Sequence, residues 1–119
     1  MVKILIINDT NVVNKFLKRN IESDEFSVDA VLTGGEGIEA AKDGTYHLIM
    51  LDYKLPDING DEVCKTLKAD EKTKNVPIYY MSAMEKEKID QLIADTGAQG
   101  YIDVTLDPDQ LAEKIKALV

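Results

Sequence analysis

The chain has 119 residues, with 22 acidic against 14 basic side chains, a net charge of -8 and a single arginine, Arg19. That length suits one domain, residues 1–119, with an apolar core of its own. So acidic a surface repels nucleic acid and anionic membranes at long range, which argues against direct binding to either.

The lone Cys64 cannot close an internal disulfide and reads as a small core residue. Met1 to Ile7 runs straight into a strand that Asn8-Asp9 ends early, and no apolar stretch reaches the length of a membrane span, so cytoplasmic residence is the expectation. Five apolar runs of strand length alternate with segments of helical period, the pattern of a parallel sheet covered on both faces. Strands are predicted near Lys3 to Asn8, Ser27 to Leu32, His47 to Asp52, Pro77 to Ser82 and Gly100 to Val104.

After the first strand, Val12, Val13, Phe16, Leu17 and Ile21 recur near the helical period, which predicts a helix from about Thr10 to Ser23 with that stripe on the sheet and Asp9 or Thr10 as its cap. A second helix around Gly35 to Lys42 is predicted to fray, because Gly34, Gly35 and Gly37 crowd its start. A third covers Glu62 to Lys68. The charged run Glu85-Lys86-Glu87-Lys88 reads as the solvated start of a fourth, whose stripe is Ile89, Leu92 and Ile93 and whose end is Gly97. Asp107-Pro108-Asp109-Gln110 announces the fifth, with a capping side chain, a proline in the first turn, and Leu111, Ile115 and Leu118 facing the core.

Five parallel strands joined by short right-handed crossovers predict a doubly wound α/β fold of flavodoxin-like order 2-1-3-4-5. In that order the first and third strands lie side by side, and their carboxyl ends carry Asn8-Asp9 and Asp52. Ligand sites of open parallel sheets lie beyond those ends. Clustered carboxylates repel unless protonated or bridged, and hard oxygens of this kind suit Mg²⁺. An aspartate there can attack a phosphoryl group to give an aspartyl phosphate. Lone His47 opens a strand at the opposite end and is given no role.

Leu51-Asp52, then Leu55-Pro56 and Gly60, resembles the phosphorylation loop of response-regulator receiver domains, and the resemblance spans essentially the whole chain. It implies a two-component signalling protein in which Asp52 is the phosphoacceptor. Mg²⁺ would be held by Asp9, Asp52 and the main-chain carbonyl of Lys54, with Asn8 acting through a water. It further implies that Ser82 is the switch hydroxyl, that Tyr101 is the switch aromatic, and that the phosphoryl donor is a histidine kinase or phosphotransfer protein. Output would pass to a protein partner on the face of helix 4, strand 5 and helix 5. Such a protein is no enzyme beyond phosphorylation and dephosphorylation of its own Asp52.

The sequence departs from the family's pattern in two places. Asn8 replaces the first of two acidic residues, and Val104-Thr105 stand where receivers carry lysine and proline. One charge of each sign is lost, so the pocket's net charge is unchanged, but a phosphoryl group loses a charge-assisted hydrogen bond of roughly 1.5–3 kcal/mol. Lys54 and Lys86 lie on loops at the right end of the sheet to replace it, although Lys54 is expected to point outward. These departures motivate an alternative, a pseudo-receiver that binds a partner without phosphorylation. A haloacid-dehalogenase-type phosphatase needs a second aspartate where Lys54 stands. A flavodoxin needs a glycine- and hydroxyl-rich loop where Asn8-Asp9-Thr10-Asn11 stands.

Overall fold

The computed structural model describes residues 1–103 and 107–119, and for Pro108 the backbone only. Ten elements alternate along it: β1 (Val2–Ile7), α1 (Asn11–Ile21), β2 (Phe26–Val31), α2 (Gly34–Asp43), β3 (Leu48–Asp52), α3 (Gly60–Ala69), β4 (Ile78–Ser82), α4 (Lys86–Thr96), β5 (Gly100–Asp103) and α5 (Pro108–Lys116). The strands form one parallel sheet in the order β2-β1-β3-β4-β5, as their alternation with helices predicts.

Apolar side chains occupy both faces of the central strands because both faces are covered. Leu5 and Ile7 of β1 point into a core with Val63, Cys64 and Leu67 of α3 and Ile89 of α4. Ile4 and Ile6 point the other way, against Leu17 and Ile21 of α1 and Leu111, Ala112 and Ile115 of α5. Cys64 is the small core residue its sequence context suggests.

The α1 stripe differs from its prediction. Leu17 and Ile21 are buried, but Val12 is 78 % exposed and Val13 37 %. The first turn of α1 overhangs the carboxyl end of the sheet, so apolar residues there find no strand beneath them. The inward position of that part of the helix is taken by Asn14, which is 2 % exposed. Thr10 occupies the cap position without a side-chain capping bond.

Nor does α2 show the frayed start that its glycines predict. Thr33 Oγ1 caps the helix by accepting from Glu36 N–H at 3.1 Å, and its hydroxyl donates to Glu36 Oε1 at 3.1 Å. Gly37 is required by packing, since a Cβ there would lie 2.5 Å from Ile7 Cδ1.

At the other helix ends, Gly97 closes α4 in the left-handed conformation at φ 81°, and Asp107 Oδ1 accepts from Asp109 N–H at 2.9 Å to cap α5. Lys68 of α3 donates to Val76 O at 3.0 Å and Gln99 Oε1 at 3.2 Å, and the same Gln99 oxygen accepts from Ile78 N–H at 2.7 Å. One ammonium thus ties α3 to the segments entering β4 and β5.

Candidate functional site

The register decides which side chains meet at the carboxyl edge of the sheet. Ile7 pairs with Leu51, so the chain leaves β1 at Asn8-Asp9 beside the point where β3 ends in Asp52. On the other flank Asp52 pairs with Met81, and Ser82 follows at the end of β4. Asp9, Asp52 and Ser82, separated by up to 73 positions in the chain, therefore share one edge.

Asp52 is half-buried, and its carboxyl is pushed up from an ordinary value of 3.8 to about 6. Desolvation is the largest cause, followed by repulsion from the Asp9 carboxylate, with which it also shares a hydrogen bond. The N–H groups of Tyr53 and Lys54 donate to the Asp52 carboxylate and partly oppose the rise. Among the described residues no lysine or arginine forms an ion pair with either carboxylate.

This donor set fits Mg²⁺. The ion keeps several waters and takes one or two carboxylates plus a phosphate, whereas an all-protein cage would need more ligands. Two carboxylates in mutual repulsion supply what such an ion needs, and no group of three or more acidic, histidine or cysteine side chains able to hold a metal occurs among the described residues.

Gly60 shapes the loop after Asp52. Its N–H donates to Tyr53 O at 2.6 Å, and a Cβ on it would lie 2.5 Å from Asp52 O and 2.9 Å from Tyr53 Cα. Only a residue without a side chain lets α3 begin against the backbone that carries the aspartate. Leu55 is buried, while Lys54 and Pro56 are exposed.

Asn8 is tied to α1. Its Nδ2 donates to Asn14 Oδ1 at 3.1 Å, and Asn14 Nδ2 donates to Asn8 O at 2.8 Å, so the two amides bind each other and join the end of β1 to α1. Ser82 Oγ accepts from Met84 N–H at 2.9 Å and so shapes the turn after β4, keeping its own proton to donate. Tyr101, half-buried on β5, pairs in register with Tyr80 and packs at the edge of the α4-side core. Lys86 belongs to the first turn of α4, where it donates to Asp90 Oδ2 at 2.7 Å, and Lys54 is exposed at the rim of the cavity that Asp52 lines. Val104 and Thr105 lie outside the described residues.

A cavity of about 820 Å³ opens above this edge, with Asn8, Asp52 and Ser82 among its polar walls and Val12, Val13, Phe16, Leu17, Met81 and Leu111 among its apolar ones. Two residues here carry no signal in the sequence: Asn14, a polar residue on the inward face of a helix, and Asp57, whose partners lie more than twenty positions away.

Comparison with known proteins agrees with this architecture. The family model described as response regulator receiver domain matches residues 4–116. Response regulator ArlR of Staphylococcus saprophyticus is 34 % identical over 120 residues, covering 100 % of this chain and 53 % of the relative, and ArlR of Staphylococcus haemolyticus is 32 % identical over the same coverage. The chain spans about half the length of the curated relatives it matches. Among solved structures, chemotaxis protein CheY4 of Vibrio cholerae superposes with a TM-score of 0.89 at 19 % identity, over 100 % of this chain and 99 % of that one. TrrA of Thermotoga maritima, solved in complex with Mg²⁺-BeF, superposes with a TM-score of 0.82 at 27 % identity over the full length of both chains. With this coverage, the chain belongs to the response regulator receiver domain family of two-component systems.

Proposed function

We propose that residues 1–119 act as one Mg²⁺-dependent receiver domain that accepts a phosphoryl group on Asp52 from a histidine kinase or phosphotransfer protein. The observation that carries this reading is the Asp9–Asp52 pair: two carboxylates at adjoining strand ends, with no cation paired to them among the described residues, and one of them pushed up to about 6. Asp9, Asp52 and the main-chain carbonyl of Lys54 would hold Mg²⁺, which when bound would supply the positive charge that offsets the repulsion between the two carboxylates and the charge of the phosphoryl group.

In the transfer, an ionised Asp52 oxygen forms the new bond to phosphorus while the bond to the donor imidazole nitrogen breaks and the nitrogen keeps its electron pair. The Tyr53 and Lys54 N–H groups orient the attacking carboxylate. The Ser82 hydroxyl, at the same sheet edge, would donate its proton to the transferred group, since its bond with Met84 N–H uses the oxygen only as an acceptor. Tyr101 on the neighbouring strand would then report the change to the face of α4, β5 and α5, where a protein partner reads it.

The net charge of -8 disfavours direct nucleic-acid contact by this domain. No helix among the described residues is long and apolar enough to cross a membrane, and a phosphoryl donor of the proposed kind assigns the cytoplasm.

A second reading, the phosphorylation-independent pseudo-receiver, is favoured by one observation. The nearby cations form no ion pair with Asp52: Lys86 is engaged by Asp90, and Lys54 is exposed at the rim of the cavity. Intact-mass spectrometry with acetyl phosphate and Mg²⁺ separates the two readings. A phosphoryl adduct on wild type that is absent from Asp52→Asn, with amide shifts reaching Tyr101 on addition of beryllofluoride, supports the switch. No adduct and no shifts support the binding module.

A further inference from the structure

The carboxylate of Asp57 joins two segments far apart in the chain. Its Oδ1 accepts from Gly34 N–H at 2.8 Å and its Oδ2 from Gly35 N–H at 2.8 Å. Both oxygens thus close on the first turn of α2, where free N–H groups and the helix dipole favour an anion. The fit is close. A Cβ at Gly34 would lie 2.6 Å from Ile58 Cγ1 and 2.9 Å from Val63 Cγ2, and one at Gly35 would lie 3.2 Å from Asp57 Oδ2.

Asp57 and Ile58 both belong to the loop between β3 and α3, so this loop rests on α2 through a pair of charge-assisted hydrogen bonds and an apolar contact. At its root the same loop is fixed by Gly60 N–H donating to Tyr53 O at 2.6 Å. Lys54 lies between these two fastenings. Its own side chain is exposed, and the position of its carbonyl depends on the backbone around it.

We propose that Asp57 is a positioning residue for the cation site: its two-pronged hold on α2 fixes the 53–59 loop and keeps the Lys54 main-chain carbonyl in register with the Asp9 and Asp52 carboxylates. The proposal rests on the Mg²⁺ reading of that site and adds a determinant of its affinity that acts through the loop backbone. It also gives the glycines at the start of α2 a purpose, since they admit the loop at the distance the carboxylate needs.

The test is a Mg²⁺ titration of the full chain, followed through backbone amide shifts, in wild type, Asp57→Ala, Asp57→Asn and Thr33→Ala. Thr33→Ala removes the other capping interaction of the same helix turn without touching the loop, so it controls for a merely structural role. Asp57→Ala should weaken Mg²⁺ binding roughly fivefold or more, in line with other outer-shell supports of metal ligands. Asp57→Asn, which keeps one acceptor oxygen, should fall between it and wild type and carries the test if the alanine variant does not fold. Thr33→Ala should stay within about twofold of wild type while amide exchange at Gly34 and Gly35 speeds up only in the Asp57 variants.

Wild-type affinity in Asp57→Ala, or an equal loss in Thr33→Ala, overturns the clamp alone. A wild type with no saturable response at residues 9, 52 and 54 overturns the cation site, and the clamp with it.

Discussion

Replacing Asp52 with asparagine should make the protein more stable, and only where the aspartate is charged. The Asp52 carboxyl is raised from 3.8 to about 6 by burial and by Asp9. The folded state therefore holds this proton more tightly than the unfolded chain, and stability falls as pH rises through that interval. Below it both states are protonated and nothing is lost; above it the full penalty applies. At ~1.4 kcal/mol per pH unit the interval corresponds to roughly 3 kcal/mol. Asp52 is partly exposed, and solvent screens its repulsion with Asp9, so about 1–2 kcal/mol is the working figure.

Asparagine keeps the shape and one acceptor for the Tyr53 and Lys54 N–H groups while removing the charge. In thermal unfolding followed by circular dichroism in EDTA, Asp52→Asn should melt about 4–8 °C above wild type near pH 8, with the gap closing near pH 4. Saturating Mg²⁺ should raise the wild-type midpoint and shrink the gap, because an ion that binds the folded state alone stabilises it by mass action. An asparagine variant less stable than wild type at pH 8, or a gap that does not change with pH, would refute the account of a strained carboxylate pair.

Three further substitutions probe the same architecture. Gly60→Ala places a Cβ 2.5 Å from Asp52 O, so it should cost about 1–3 kcal/mol and also abolish the Mg²⁺ response of the loop amides; a urea midpoint equal to wild type would mean α3 can back away from the loop freely. Asn8→Asp removes the Nδ2 donor to Asn14 and adds a charge beside Asp9, so it should lose about 1–3 kcal/mol in EDTA yet gain more from Mg²⁺ than wild type does. Equal Mg²⁺ gains in the two proteins would show that position 8 lies outside the reach of the ion. Thr96 Oγ1 gives its proton to Leu92 O at 2.7 Å, so the buried Tyr80 hydroxyl must donate to Thr96 at 3.0 Å. Tyr80→Phe removes the donor and strands no other one, so its loss in urea unfolding should stay near 0.5–1.5 kcal/mol, roughly one net hydrogen bond; a much larger loss would mean the hydroxyl supports a wider network.

The strands, their order and the placing of Asp9, Asp52 and Ser82 at one edge were legible in the sequence. The strands and their ends follow from local periodicity, since runs buried on both faces are apolar throughout and polar residues mark where each run leaves the sheet, while the order follows from the short right-handed crossovers between parallel strands. Gly97 was legible for a similar reason, since a left-handed helix end demands glycine locally, whereas Gly60 was legible only through the resemblance of its loop to the receiver phosphorylation loop.

Three features depended on packing between segments distant in the chain. Val12 and Val13 have the spacing of a buried stripe, but whether a strand lies beneath the first turn of α1 depends on where β1 stops relative to it. Asn14 looks like a surface residue until Asn8 is placed opposite it. The three glycines of α2 read as a weak helix start because the carboxylate that binds two of their N–H groups comes from Asp57, on another loop. Periodicity records which faces are buried, whereas a buried amide or a clamped carboxylate gains its meaning from a partner that only the folded chain brings within hydrogen-bonding distance.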